Sequence, residues 1–196
     1  MKFLLLVFLV SMVFWGNGFG NSFAEGIVVF GPKQARIDGS VPYAVIGNYK
    51  ARFKVFKGTV VLNQDLRQVQ SVYLEIKVNS ITSNCPWCDK LARSRRLLNP
   101  AQYPKIVFKS EKIWHDEGDF KVRGILAMHG IEKQMTFPFN VEIIDEGKVG
   151  KKLLNLKGSW TFNRKDFNIV WSKLLDRDGI LVGDNITVNW GIRAYI

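Results

Sequence analysis

From Tyr49 to Tyr195 the apolar residues recur mostly at every second position, and this period restricts what the chain can fold into. Tyr49, Ala51, Phe53 and Val55 alternate with Lys50, Arg52 and Lys54. Val72, Leu74, Ile76 and Val78 alternate with Tyr73, Glu75, Lys77 and Asn79, and Phe137, Phe139, Val141 and Ile143 behave alike. The last segment repeats the pattern through Ile186, Val188, Trp190, Ile192 and Ala194. Successive strand side chains point to opposite faces, so each segment has one dry and one wet face. That is the habit of antiparallel sheets, since buried parallel strands read as continuous apolar runs. Further strands are expected at 59–62, 106–110, 120–128 and 153–162, with turns at Gly58, Gly118, Gly130, Gly147, Gly150, Gly179 and Gly183. Many short, regularly spaced strands predict an all-β sandwich or barrel forming one domain. Residues 84–99 lack the alternation; a short helix or loop is expected near 88–99, where Leu91 to Leu98 could form the helix before Pro100.

The N-terminus reads differently. Lys2 precedes an apolar run from Phe3 to Trp15, glycines at 16, 18 and 20 break it, and Ser22-Phe23-Ala24 offers small residues at a cleavage site. This order is that of a secretory signal peptide cut after Ala24. The run is shorter than the ~20 residues a spanning helix needs. The expected organisation is a leader at 1–24 and a domain at 25–196, in a periplasmic or secreted location. The formal net charge is +11. A basic surface admits nucleic acid, an anionic membrane or an acidic ligand as partner. Export and the absence of a Lys/Arg run with interleaved aromatics argue against nucleic acid. A solvated basic face, or transient contact with anionic lipid, stays open.

The dry face carries many large rings and long aliphatics. A closed barrel of about eight strands can fill with such side chains or leave room for one small ligand, and periodicity does not choose between them.

Three stretches resemble blocks of the YceI-like family: Gly124-Ile125-Leu126-Ala127-Met128-His129-Gly130-Ile131-Glu132-Lys133; Asn163-Arg164-Lys165-Asp166-Phe167-Asn168-Ile169 followed by Val182-Gly183-Asp184; and Tyr103 to Ser110. With Phe53 to Thr59, the likeness runs from about Ile37 to the C-terminus. The resemblance implies a lipocalin-like antiparallel barrel, usually exported, enclosing a long apolar ligand such as a polyisoprenoid, an isoprenoid quinone or a fatty-chain lipid. On that basis the expected cavity residues are Phe53, Leu74, Leu126, Met128, Phe139, Leu156, Trp160, Phe162, Trp190 and Ile192. The chain departs from the family pattern in two places. Gly39-Ser40-Val41-Pro42 stands where a His-Ser pair is usual. In the loop at 85–96 Asp89 matches, but its usual Arg partner and a later acid are absent.

Cys85-Pro86-Trp87-Cys88 is the sharpest local motif. The thioredoxin-like βαβ setting of a redox pair is missing, no His follows Cys88 as haem attachment would need, and two Cys with two His offer no finger spacing. In an oxidising compartment a structural disulfide is the default, with a redox-active pair and metal binding as alternatives. Arg93, Arg95 and Arg96 beyond it are candidate contacts for an anionic headgroup, or simply solvated. Arg164 is a further headgroup candidate, and with Asp166 two residues on it forms an expected fold-supporting pair. His115 is expected to be exposed, and His129 to be a hydrogen-bonded residue at a strand end. No catalytic motif is present, and no cofactor or metal is implied. The expected function is therefore non-catalytic binding of an apolar lipid or isoprenoid. The rivals are a thiol–disulfide protein using Cys85 and Cys88, and an envelope stress factor acting by protein contact. The oligomeric state is not legible.

Overall fold

The computed structural model describes residues 26–43, 47–63, 68–116, 118–145, 152–170 and 182–196. The expected leader lies outside them. The strands are β1 (Gly26–Phe30), β2 (Ala35–Tyr43), β3 (Gly47–Phe53), β4 (Phe56–Leu62), β5 (Val69–Lys77), β6 (Ile81–Thr82), β7 (Lys105–Asp116), β8 (Asp119–Met128), β9 (Ile131–Asp145), β10 (Lys152–Asn163) and β11 (Asn185–Tyr195). They form one antiparallel sheet in the order β1-β4-β5-β7-β8-β9-β10-β11-β2-β3-β6. Pairing of β11 with β2 brings the C-terminal strand beside an N-terminal one and curls the sheet into a lipocalin-like half-barrel.

The β3–β6 end of the sheet runs into β4 and β5 at one corner. β6 pairs with β3 and follows β5 after a 3-10 turn at Val78–Ser80. There the Lys54 N–H donates to Ser80 O and the Lys77 N–H to Val55 O. Ser80 Oγ accepts from the Val55 N–H at 3.1 Å and donates to Lys77 O at 2.7 Å. This hydrogen-bonded corner ends β3 at Phe53 and leaves Val55 exposed, so Val55 does not continue the dry face as its spacing predicts.

The alternation becomes the inside and outside of the half-barrel. Val122, Leu126 and Met128 of β8 and Phe137 and Phe139 of β9 are buried, and their even-numbered or odd-numbered neighbours face outward. Val60, Leu62, Leu154, Leu156 and Phe167 have no exposed surface. Fully burying such side chains contributes roughly 1.5–3 kcal/mol each.

Eleven strands among the described residues replace the expected eight. β1 was hidden because Ile27-Val28-Val29-Phe30 is a continuous apolar run, although only Val28 and Phe30 are buried. β2 carries Gly39 and Pro42, which interrupt its pattern, and β6 is only two residues long. The short helix or loop expected near 88–99 is both: α1 spans Pro86–Ala92, starting before Leu91, and residues 93–98 are turns. Pro86 occupies the first helical position, where its missing N–H costs nothing.

β8 and β9 are joined by a two-residue hairpin in which His129 (φ 52°) and Gly130 (φ 77°) both take left-handed backbone. Two positive-φ residues are what a type I′ turn requires. A Cβ on Gly130 would also lie 2.9 Å from Cε1 of Tyr103. Gly130→Ala is therefore expected to destabilise the protein by more than about 1 kcal/mol, measurable by urea unfolding.

Candidate ligand cavity

The inner face of the half-barrel surrounds a cavity of about 220 Å³ with an almost wholly apolar wall. An apolar cavity of about 150 Å³ already admits benzene, so this one has room for part of a hydrocarbon chain. All ten expected cavity residues line it: Phe53, Leu74, Leu126, Met128, Phe139, Leu156, Trp160, Phe162, Trp190 and Ile192. Further strand residues such as Val72, Ile106, Phe137 and Val188 also line it, and the part of the wall that periodicity did not disclose comes from the irregular segments. Cys88, Leu91, Ala92, Leu97 and Leu98 contribute from α1 and the turns after it, and Arg164, Ile169 and Val182 from the loops around β10 and β11.

Aromatic packing stiffens one side of the wall. Phe137 stacks on Trp160 with centroids 4.6 Å apart and meets Trp190 edge-on at 6.4 Å. Trp190 is paired across the sheet with Gly158, and its indole lies directly over that glycine. A Cβ at Gly158 would come within 2.7–2.8 Å of three indole atoms. Gly158→Ala should push the indole into the cavity, costing roughly 1–3 kcal/mol of stability and reducing the room for ligand. Calorimetry with a cavity-binding probe reads both effects.

A carboxylate fastens α1 to the sheet. Asp89 is 5% exposed. It accepts hydrogen bonds from Tyr49 Oη of β3 at 3.0 Å, from Ser83 Oγ at 2.6 Å and from the Ser83 N–H at 3.0 Å. Burial alone would raise its pKa, but these bonds and one from Thr82 outweigh it and the net shift is downward. Burial raises the Tyr49 hydroxyl to about 12, and its bond to Asp89 adds to that rise. Because Asp89 is held below its unfolded value, its stabilisation is present above pH ~4 and is lost as pH falls through the depressed folded value. Acid titration of the wild-type chain should therefore show a loss of stability below pH ~4 that is blunted in Asp89→Asn.

Cys85 and Cys88 are joined in a disulfide. Cys85 is the N-cap of α1, and its Sγ accepts the Cys88 N–H at 3.2 Å. Of the candidate headgroup arginines just beyond, Arg93 is half-buried and donates to Ile81 O at 2.7 Å, which ties it to the fold. Arg95 and Arg96 are exposed, immediately before the cavity-lining Leu97 and Leu98.

Arg164 supports the fold as expected, but through other partners than Asp166. It is 1% exposed. Its guanidinium donates to Ile169 O at 2.5 Å, Gly183 O at 3.0 Å, Val182 O at 3.4 Å and Asp184 Oδ1 at 2.8 Å. These bonds tie the segment after β10 to the one before β11. Asp166 is not its partner: residues 164–167 form a 3-10 turn, so positions two apart do not share a face. Asp166 instead lies 3.1 Å from Lys133 Nζ. The hydrogen bond from Lys165 first, and the neighbouring Arg164, hold the Asp184 carboxyl below its ordinary value. His115 is exposed. His129 bridges two features of this end, with Nδ1 3.0 Å from Phe167 O and the Tyr103 ring 4.1 Å from its own.

A curled antiparallel sheet around an apolar cavity, covered by one short helix and pinned loops, defines a lipocalin-like half-barrel. The YceI-like domain model matches residues 29–194, and the chain belongs to that family. Among curated relatives, Protein YceI of Escherichia coli is 30% identical over 119 residues, covering 60% of this chain and 61% of that protein. The match thus spans about three fifths of the relative's length. Among solved structures, Burkholderia cenocepacia BcnA superposes with a TM-score of 0.67 at 18% identity, covering 82% of this chain and 96% of that one. A polyisoprenoid binding domain from Saccharophagus degradans, implicated in plant cell wall breakdown, superposes with a TM-score of 0.60 at 13% identity, covering 86% and 97%. At these identities the superpositions establish the fold.

Proposed function

We propose that this chain is a non-catalytic carrier that shields a long apolar chain, an isoprenoid or a fatty-chain lipid, from water. The observation that carries this reading is the cavity itself: about 220 Å³ of space with an almost wholly apolar wall, inside a sheet that could have been packed solid. Burial supplies the affinity, at about 0.8 kcal/mol for each CH₂ taken from water, so a hydrocarbon chain binds without many polar contacts. The solved polyisoprenoid binding domain of the same fold lends the ligand class its support. The exposed Arg95 and Arg96 beside the cavity-lining Leu97 and Leu98 would meet an anionic headgroup or a membrane surface. The sequence of residues 1–24 supports export to the periplasm or the exterior, where lipid chains need carrying through water.

Titration with a long-chain isoprenoid alcohol, followed by intrinsic tryptophan fluorescence, tests the reading. Trp160 and Trp190 line the cavity, so saturable binding should change their emission. An unchanged spectrum together with no bound alcohol in equilibrium dialysis would reject it. Reversing the charge of Arg95 and Arg96 should weaken binding to anionic vesicles while leaving uptake of the neutral alcohol unchanged.

A further inference from the structure

One part of the cavity wall is not sheet. Cys88, Leu91 and Ala92 of α1 and Leu97 and Leu98 after it line the cavity from a segment outside the strand ladders. α1 has only seven residues. An isolated helix shorter than ~12 residues is marginal in water, so this wall depends on what fastens it. The Asp89 carboxylate ties it to Tyr49 and Ser83, and the Arg93 guanidinium ties it to Ile81 O. The disulfide between Cys85 and Cys88 is its covalent fastening, and the chain has no other cysteines.

The disulfide is coupled to the carboxylate latch. Ser83 Oγ accepts the Cys85 N–H at 3.0 Å and donates to Asp89 Oδ1 at 2.6 Å, so the N-cap and the latch share one hydroxyl. Cys85 Sγ accepts the Cys88 N–H, and the covalent bond keeps it in that capping position across the first turn. A free thiol is a weak acceptor and has no such constraint. The pair also stands between interior and solvent. Cys88 lines the cavity, both cysteines are partly exposed, and Pro86 and Trp87 between them are exposed.

We propose that Cys85–Cys88 is a redox clasp on the cavity: the oxidised chain retains its apolar ligand, and reduction by a dithiol frees the first turn of α1 and speeds release. A thiolate of the dithiol attacks one sulfur and displaces the other; its second thiolate then closes the dithiol's own disulfide and releases the first sulfur. Two electrons and two protons pass to Cys85 and Cys88, and the dithiol leaves oxidised. This rests on the carrier reading above and adds its control; the pair is the target of exchange and not a catalyst of it.

The test loads the full chain with tritiated n-dodecanol and follows its release into unlabelled dodecanol, before and after reduction with dithiothreitol. Release should be about tenfold faster from the reduced chain, a size within reach of the constraint a short-loop disulfide imposes. The Cys85→Ser/Cys88→Ser variant should release as fast without reductant and gain nothing from it. Amide exchange should accelerate in α1 on reduction and stay slow in β8 and β9. Unchanged release, a disulfide that resists excess dithiothreitol, or exchange that rises through the whole sheet would each overturn the clasp while the carrier reading stands. If the oxidised chain binds no dodecanol, both fall.

Discussion

Replacing Arg164 with Met is expected to lower stability by on the order of 3–5 kcal/mol, the range found when one partner of a buried polar cluster is removed. Met matches the length of the side chain but cannot donate, so Ile169 O, Gly183 O and Val182 O lose their partner together. Each buried acceptor left unpaired costs about 1–3 kcal/mol. In a chain of this size the midpoint of thermal unfolding should fall by roughly 10 °C. Lys should not rescue it, because one ammonium cannot replace a planar fork that reaches four acceptors. Asp184→Asn should cost much less, as that carboxylate is more than a third exposed. The variant also separates two roles for Arg164: a residue that meets a headgroup would lose affinity when replaced and leave the unfolding midpoint unchanged.

The second large effect concerns room. Val188 lines the cavity on β11, opposite Trp160. Val188→Trp places an indole where a chain would lie. If it excludes about four methylenes, affinity for a long-chain alcohol falls on the order of a hundredfold at ~0.8 kcal/mol per CH₂. Stability should change little, within about 1.5 kcal/mol, because the added ring enters space that is already empty. A titration beside a urea curve distinguishes lost room from lost folding.

The chain disclosed its half-barrel where one face is wet and the other dry. In β8, β9 and β11 the alternation named the inward residues, and the ten expected cavity residues all line the cavity. It failed where another force set the local structure. Val55 kept the spacing, but the hydrogen bonds at Ser80 turned the chain outward. The helix start lay in Cys85 and Pro86, an N-cap and a first-turn proline, and not in the apolar residues from Leu91 onward. Arg164 and Asp166 suggested a pair only as long as the segment was taken as extended. Asp89 gave no local signal of its latch, because Tyr49 stands forty residues away in sequence. Hollowness itself was not legible: the same aromatics could have filled a solid core, and only their arrangement around about 220 Å³ of space decides it.

The most direct test of the carrier account is mass spectrometry of an organic extract from the purified full chain, with the protein quantified in the same sample. The account predicts a long-chain lipid at close to one molecule per chain, lost in Val188→Trp. An extract without lipid, from a protein that also takes up no added long-chain alcohol, would contradict it.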